Sequence, residues 1–441
     1  MFNDILPNIL DILKIALTFI LKGGWVIFSV AFIYVLYRLY IVEIQHQFVD
    51  SQQWVFLKIR VPKSNLTSTL AVEQVFALMH SLHRSYTFMQ TYVEGSVQLW
   101  YSLEIVSMGG KISYILRVPK AYRGIVESSF YAHYPEAEIT ETSDYMENVT
   151  YDPDISDFEV LGTEFKMADD DVIPIKTYSD FEHTSATEKI IDPLSNLLES
   201  LAKLDSYDFV GVQILIQPLG DEEWKPRGER KIKALIGEEV PHEPSFIGFL
   251  MAPFNWFANF SYKKTLLTSH DHDEKEKTQK NNWMSMTEAE KDRVSRIEAK
   301  IGKPGYKTKM RFLYMTPKGK VEKTKRYLIV GAFRPFGSAM TNRIKVQSDT
   351  WVGVDPIFSE ALEKSYLDAW LKKLKRRHFK GYKARSLHLG ASPFILNIEE
   401  LATLYHFPIT TETTSVPASV EATESKKSQP PVNLPVVEEL S

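Results

Sequence analysis

The sequence predicts an α+β protein with an N-terminal transmembrane helix, two β-α-β-β-α-β domains and a disordered C-terminal tail. Three observations indicate this class. An uncharged apolar run lies near the N-terminus, strand-like and helix-like hydrophobic periods then follow in the same order twice, and the chain ends in a polar segment. With 441 residues, the chain is also long enough for two compact domains.

Composition narrows the classes of function. The formal net charge is −4, so no general basic excess indicates a nucleic-acid partner, and such a partner would have to meet a local patch. The chain contains no cysteine. Disulfides, cysteine-ligated zinc, iron–sulfur clusters and thiol nucleophiles are therefore excluded.

Residues 1–48 are predicted to form a membrane anchor. The run Gly23–Tyr37 carries no charge, and Arg38 follows where its long side chain can reach the headgroups. A cleaved signal peptide is the alternative, but the run is long for one and no small-residue cleavage site follows. The upstream stretch Ile5–Leu21 is either an interfacial helix or a short first span. The anchor residues are Trp25, Phe28, Phe32 and Arg38.

Residues 49–145 contain the first repeat of the pattern. Apolar residues follow the strand period, change to the helical period and change back, and Gly109 with Gly110 marks a hairpin turn. This is the β-α-β-β-α-β order of ferredoxin-like domains. The predicted strands are Trp54–Val61, Val97–Val106, Lys111–Val118 and Ala137–Thr140, and the predicted helices are Leu70–Leu82 and Tyr122–Tyr134.

Residues 158–350 repeat this order more loosely, with an insertion at about 222–305 that delays the hairpin partner. A helix and a linker-like segment are predicted for residues 351–408, and residues 409–441 are predicted to be a disordered tail. The predicted strands of the second domain are Phe158–Lys166, Phe209–Gln217, Lys307–Thr316 and Arg343–Val346, and its helices are Glu188–Leu204 and Val321–Phe333.

The sequence contains no recognisable catalytic, metal-binding or cofactor-binding constellation. The Gly-Lys pairs lack the following Ser or Thr of a phosphate-binding loop, and no GxGxxG or GxSxG string occurs. The cluster His270–Asp273 lies in a charged run and is interpreted as a solvated loop rather than a metal site. We therefore expect a protein that is not an enzyme and has no cofactor.

An aromatic stretch in the insertion, residues 246–260, is the preferred interaction site. It reads FIGFLMAPFNWFANF, is too short to span a bilayer, and is followed by Lys263 and Lys264. Packing inside the protein is one interpretation, and contact with a membrane interface or a partner's groove is the other. The candidate contact residues are Phe246, Phe249, Phe254, Trp256, Phe257 and Phe260.

The densest basic run lies on the predicted C-terminal helix. Three functions compete for it: a solvated helix face, contact with anionic lipid, and contact with DNA phosphates. Few aromatic residues are interleaved, so base stacking is not indicated. The patch consists of Lys372, Lys373, Lys375, Arg376, Arg377 and Lys380, followed by Lys383 and Arg385.

Several strings occur in the same order as in one known family. They are Leu103–Val106, Arg117–Pro119, Tyr131–Ala137, Ile173–Tyr178, Gln213–Pro218 and Asn397–Pro408. Together they resemble the region ahead of the motor domain in VirB/TraC-like conjugation ATPases of type IV secretion systems. The resemblance covers Trp54–Pro408, and it is greatest to bacterial relatives with an N-terminal membrane segment.

The resemblance implies a component of a type IV secretion or conjugation system at the bacterial inner membrane. Lysines and arginines after the apolar run favour a cytosolic position for the rest of the chain. Where the family's ATPase domain begins, this sequence has a polar tail without Walker motifs, so ATP hydrolysis is not carried over.

The expected role is therefore to dock a separately encoded ATPase at the membrane, and the alternative is a stand-alone membrane-tethered module that binds nucleic acid or protein. Expected partners are the lipid bilayer, the ATPase and other secretion proteins, with DNA, anionic lipid and a second copy of the chain as further options. The candidate docking residues are Glu400, Leu401, Leu404, Tyr405, His406, Phe407 and Pro408.

Overall fold

The computed structural model describes residues 25–183, 192–238, 286–352, 360–409 and 419–423. Within these ranges nine strands form one antiparallel sheet. The strands are β1 (Trp54–Arg60), β2 (Tyr101–Met108), β3 (Lys111–Pro119), β4 (Glu138–Thr142), β5 (Phe158–Met167), β6 (Phe209–Pro218), β7 (Gly305–Pro317), β8 (Ile344–Val346) and β9 (Phe394–Asn397).

One helix precedes the first strand, one follows the last strand, and the others lie between strands. Three of them begin with capping boxes, at Thr87, Thr287 and Asn397, in which side chains satisfy the free amides of the first turn. The helices are α1 (Trp25–Asp50), α2 (Thr69–His80), α3 (Phe88–Tyr92), α4 (Arg123–His133), α5 (Tyr178–His183), α6 (Ser195–Ala202), α7 (Asp221–Ile236), α8 (Glu288–Ile301), α9 (Lys323–Gly331), α10 (Glu360–Lys383) and α11 (Ile398–Leu404).

The sheet consists of two halves with the same strand order. One half reads β4-β1-β3-β2 and the other reads β8-β5-β7-β6, and β9 pairs with β7. The halves meet where β2 pairs with β6 along its whole length, from Tyr101 opposite Ile216 to Met108 opposite Phe209. β2 and β6, each the last strand of its half, are therefore neighbours. The sheet continues without a break from one half to the other.

The predicted fold class is wrong in its transmembrane helix. The strands of its two predicted domains form one continuous sheet, and residues 419–423 of the predicted disordered tail are bridged to Ile112 and Pro62. Among the described residues no helix combines the length and apolarity needed to cross a membrane. Charges at Arg38 and Glu43 interrupt the described part of α1. The inner-membrane location, which rested on that helix, is corrected with it. The predicted bounds of the two domains, residues 49–145 and 158–350, stay predictions.

The four predicted anchor residues lie on α1. Phe32 and Arg38 are exposed there, and the side chains of Trp25 and Phe28 lie outside the described ones. Further along, Ile41 is buried and Phe48 and Val49 pack against the core. The C-terminal end of α1 is therefore part of the folded body, and the anchoring role of these four residues is withdrawn.

The two faces of the sheet have different chemistry. One face is apolar and packs against α2, α4, α6 and α11 in the main core. The opposite face carries buried polar side chains in the middle of the sheet and is covered by α10 and the segment that follows it. The polar side chains on this face are Ser102, Glu104, Gln213, Lys309, Arg311 and Glu164.

A buried ion network lies at the junction of the two halves. Glu104 on β2 faces Gln213 on β6, and Gln213 donates to the Glu104 carboxylate at 3.0 Å. Arg385 donates to the same carboxylate at 3.1 Å and binds both oxygens of Asp144 at 2.6 and 2.7 Å. Tyr145 completes the shell with a 2.6 Å bond to Glu104. Ser102, on the same strand, also donates to this carboxylate at 2.5 Å, and its other partners come from distant parts of the chain.

Arg385 occupies the left-handed region of the backbone, at φ +48°, which residues other than glycine rarely adopt. Burial alone would lower the pKa of its guanidinium, but Glu104, Tyr145 and Asp144 raise this pKa above its ordinary value. The guanidinium therefore stays charged inside the protein. The network holds the backbone in a conformation that costs free energy by itself.

A second set of bonds fixes the segment after α10 to β7. Lys309 donates to the carbonyls of Leu387 and Leu389 at 3.2 and 2.7 Å, and Arg311 donates to the carbonyl of Ser386. Burial lowers the pKa of Lys309 to about 8 and that of Arg311 to about 10, although Glu164 opposes the change in both cases. The polar face of the sheet is thus covered by backbone carbonyls as well as by α10.

The network predicts the effect of removing its cation. Arg385→Met keeps most of the aliphatic stem but leaves Glu104 buried without a positive partner. We expect the free energy of unfolding to fall by about 3–5 kcal/mol, because removing one member of a buried pair strands the other charge. Urea denaturation followed by circular dichroism measures the loss.

A matched control is Arg376→Met. Arg376 also bridges two carboxylates, those of Asp152 and Asp154, but at the exposed surface, so we expect a far smaller loss. Adding Glu104→Gln to Arg385→Met should restore part of the stability, since no buried charge is then unpaired. Equal losses in the two arginine variants would contradict the role given to the network.

Candidate binding cleft

A cleft of about 270 Å³ opens where the C-terminal end of α1 meets the first half of the sheet. Its walls come from α1, from the loop and short helix between residues 84 and 99, and from the turn Lys120–Tyr122 that follows β3. Phe48, Leu99 and Pro119 supply apolar surface. The cleft therefore lies between elements that are distant in sequence.

Local sequence chemistry explains how these walls hold their shape. The amide of Arg84 donates to the Gln98 side chain at 2.8 Å. The Lys120 amide of the turn donates at 2.8 Å to the carbonyl of Gln53, which lies between α1 and β1. Gly95 has φ +71°, and a Cβ atom there would lie 2.5 Å from the Ile44 carbonyl oxygen of α1. Only glycine lets the loop approach the helix this closely.

The cleft contains one cation that has no acidic partner. The Arg84 guanidinium lies 5.5 Å from the centre of the Tyr122 ring, in cation–π contact. Arg84 forms no salt bridge with any residue in the described part of the chain. Among the described lining residues there is also no carboxylate, lysine or histidine. The charge of Arg84 is therefore free to meet an anion.

A buried hydroxyl next to the cleft has no hydrogen-bond partner among the described residues. Tyr101 is fully buried, and its hydroxyl is unpaired. Burial raises the pKa of this phenol, and Tyr122 and Tyr86 of the cleft raise it further while Arg84 lowers it. The hydroxyl itself is enclosed in the core, and Tyr101 does not line the cleft.

Tyr86 shares this environment. Burial raises the pKa of its phenol, Tyr122 raises it as well, and Arg84 opposes the change. The phenols of Tyr86 and Tyr101 therefore keep their protons at neutral pH and present donors rather than bases. The arrangement can bind an anionic group with an apolar body, since Arg84 and the Tyr86 hydroxyl would hold the charge and Phe48, Leu99 and Pro119 would contact the body.

The predicted docking segment is inside the protein. Leu401, Leu404, Tyr405 and Phe407 belong to the main core, and Pro408 is also buried. Glu400 is fully buried and pairs with Lys300 at 2.9 Å. No side chain of this segment is presented to a partner in the described structure, so its docking role stays a prediction that requires the segment to leave the core.

His406 of the same segment takes part in a buried ion pair. Its two ring nitrogens lie 2.9 Å from the Asp192 carboxylate and 2.9 Å from the Ala402 carbonyl, so both nitrogens face acceptors. Burial alone would lower the pKa of His406, but Asp192 raises it above 6.5. Burial likewise would raise the pKa of Asp192, but His406 and the Leu194 amide lower it below 3.8.

The predicted basic patch is partly neutralised by the acidic segment before β5. Lys372 pairs with Asp154, Lys375 pairs with Glu159 at 2.6 Å, and Arg376 bridges two aspartates. Lys383 donates to backbone carbonyls, and Arg385 lies in the buried network. Lys373, Arg377 and Lys380 are exposed and form no ion pair with a described residue. The run therefore presents a smaller free charge than its sequence indicates.

The aromatic stretch and the histidine–aspartate cluster lie outside the described residues, which end at Glu238 and resume at Met286. Their predicted roles stay predictions. This holds for Phe246, Phe249, Phe254, Trp256, Phe257 and Phe260.

Sequence reasoning did not find the cleft. Its polar residues are single arginines, tyrosines and glutamines spread from Gln52 to Tyr122, without a motif spacing. The one local signal is the helix-start pattern Thr87-x-x-Gln90 after Arg84 and Tyr86, which marks the loop but not its chemistry.

The protein is therefore an α+β protein with a candidate binding cleft of about 270 Å³ beside the first half of a continuous antiparallel sheet. The chain belongs to the family described as Domain of unknown function (DUF8128), whose model matches residues 40–418. No curated protein matches the chain. The family description names no activity, so the predicted role in secretion or conjugation stays a prediction. The resemblance to conjugation ATPases stays a prediction.

The His406–Asp192 pair predicts a pH-dependent contribution to stability. Because the pKa of His406 is raised above 6.5 by folding, its contribution is complete below pH 6.5 and is lost as pH rises through the folded-state value. The pKa of Asp192 is lowered below 3.8, so its contribution is lost only as pH falls through that lower value. The difference in unfolding free energy between the native chain and His406→Gln should therefore be largest between pH 3.8 and 6.5 and should decrease above it.

Thermal unfolding measured over this pH range tests the expectation. His46→Gln is the matched control, because His46 also pairs with an aspartate, Asp50, but both side chains are mostly exposed. This control should show little difference from the native chain at any pH. A His406→Gln effect that grows as pH rises would contradict the assignment.

Proposed function

We propose that this protein is a non-catalytic binding module that recognises an anionic group attached to an apolar body. The observation that carries the proposal is the cleft with Arg84, which forms no ion pair with a described residue, and with no carboxylate among its described lining residues. A carboxylate or phosphate is the common chemistry, whether it belongs to a free small molecule or to a side chain or terminus of a partner protein.

The positive charge of Arg84 favours a negatively charged ligand. The chain as a whole has a net charge of −4, so the positive charge of the cleft is local rather than part of a general basic surface. Guanidinium groups bind carboxylates and phosphates through two parallel bonds, which favours these anions over neutral polar groups. The apolar residues beside Arg84 favour a ligand that also buries carbon surface.

The protonation states of the side chains in the cleft support binding rather than catalysis. Its phenols keep their protons at neutral pH, and the described lining residues offer neither a carboxylate nor a histidine as a general base. A reaction needs a group that accepts or gives a proton at working pH. The proposal therefore assigns no catalytic residue.

Aromatic anions test the proposal directly. Benzoate and phenyl phosphate should bind the full-length chain, whereas benzamide and benzylammonium should not, because only the anions satisfy Arg84. Arg84→Gln should weaken binding by about tenfold to a hundredfold, since a charge-assisted bond contributes about 1.5–3 kcal/mol. Isothermal titration calorimetry, supported by chemical-shift perturbation of the Arg84 region, measures both effects.

Arg38→Gln is the matched control, because Arg38 is an exposed arginine of α1 that does not line the cleft. Tyr101→Phe should leave anion binding unchanged and the thermal midpoint unchanged or higher, since it removes an unpaired hydroxyl that is enclosed in the core. Equal binding of benzamide and benzoate, or an Arg84→Gln variant with native affinity, would overturn the proposal.

A further inference from the structure

A short C-terminal segment of the chain lies against the other end of the first half of the sheet. Residues 419–423 form this segment, which we call the strap. β1 ends at Arg60, while β3 begins at Lys111 and pairs with β1 only from Tyr114 onward. The strap fills the notch that this leaves beside Ile112, in isolated parallel bridges to Ile112 and Pro62.

Backbone bonds hold the strap as an added piece of strand. The Ile112 amide donates to the Ser419 carbonyl at 2.8 Å, and the Glu421 amide donates to the Ile112 carbonyl at 2.9 Å. The Thr423 amide donates to the Val61 carbonyl at 3.3 Å. This is the geometry by which sheets accept an extended peptide, where main-chain bonds supply affinity and side-chain pockets supply specificity.

Two side chains of the strap are specifically held. Val420 is buried in the main core. The Glu421 carboxylate pairs with Lys58 and, at 3.5 Å, with Arg60. Burial would raise the pKa of Glu421, but Lys58 lowers it below its ordinary value, so the carboxylate is ionised in place. The notch thus binds an apolar residue that is followed by an acidic one.

The strap fits the notch imperfectly. The hydroxyls of Ser419 and Thr423 are buried without a hydrogen-bond partner among the described residues. An unpaired buried hydroxyl weakens the packing of the segment that carries it. The same notch would hold a segment with alanine and valine at these positions more tightly.

The strap is also separate from the part of the chain that defines the family. The family match ends at residue 418, one residue before the strap, whereas every group of the notch lies within the matched residues. The groups of the notch therefore all belong to the part of the chain that the family model matches.

We propose that this notch is a docking site for an extended peptide of a partner protein in which an apolar residue precedes a glutamate. The strap is its resident, exchangeable ligand and blocks the site until a partner segment displaces it. Charge complementarity identifies the partner chemistry: Lys58 and Arg60 lie beside the pocket for the apolar side chain and require an acidic residue immediately after it.

A peptide-binding experiment on the full-length chain tests this. Glu421→Lys releases the strap by charge repulsion from Lys58 and Arg60. A fluorescein-labelled peptide with the sequence of residues 416–425 should bind this variant at least tenfold more tightly than it binds the native chain, in which the strap competes. Fluorescence anisotropy measures both affinities.

Two peptide variants sharpen the result. The change Ser419→Ala with Thr423→Val in the peptide should strengthen binding severalfold, because it removes the two unpaired hydroxyls. Glu421→Lys in the peptide should weaken binding at least tenfold, because it opposes Lys58 and Arg60. Equal binding of the native peptide to both chains, or no binding to either, would overturn the proposal.

Hydrogen exchange of the native chain provides a test that does not depend on the variant's folding. The Ile112 amide is bonded to the strap, whereas the middle of β3 is covered by β1 and β2. An exchangeable strap predicts that the Ile112 amide exchanges at least tenfold faster than amides such as that of Leu116. Exchange of Ile112 as slow as that of Leu116 would show a permanent strand and refute exchangeability.

Discussion

The pairing of β2 with β6 is the constraint on which the rest of the structure depends. It joins two halves of the same strand order into one sheet, and it places Glu104 opposite Gln213 in the interior. A carboxylate so deep in a protein requires a cation and several hydrogen bonds. Arg385 supplies the cation from the C-terminal segment, at the cost of a left-handed backbone. The junction and the segment that covers it therefore depend on each other.

The continuous sheet also positions the two proposed binding regions. β3 runs from Ile112, which holds the strap, to Pro119, which lines the cleft. At about 3.3 Å per residue, the two regions lie roughly 23 Å apart at opposite ends of one buried strand. Because β3 is a rigid buried strand, the distance between the cleft and the strap stays constant. The loop that carries Arg84 and the strap lie at opposite ends of this strand. The architecture suits a module that contacts more than one chemical group of its partners.

Sequence patterns predicted the local elements well and the environment of single residues poorly. The hairpin between β2 and β3 follows from Gly109 and Gly110, whose φ values of +57° and +83° fit a two-residue turn. The segment with Glu400 and His406 was interpreted as a docking surface because it resembles a segment ahead of the motor domain of conjugation ATPases, and its polar groups fitted a surface position. Their partners, Lys300 and Asp192, lie 100 and 214 residues away. Polarity at a buried position cannot be distinguished from polarity at the surface until such partners are known.

The sequence by itself determined what depends on neighbours along the chain: the capping boxes, the glycine turn, the order of strands and helices within each half, and the absence of cysteine chemistry. Only the tertiary structure decided what depends on distant residues. The joining of the halves, the neutralisation of the basic run by Asp152, Asp154 and Glu159, the cleft and the strap all bring together groups far apart in sequence. Hydrophobic period and turn chemistry act over a few residues, whereas strand pairing and buried charge compensation act through space, so only a folded chain reveals them.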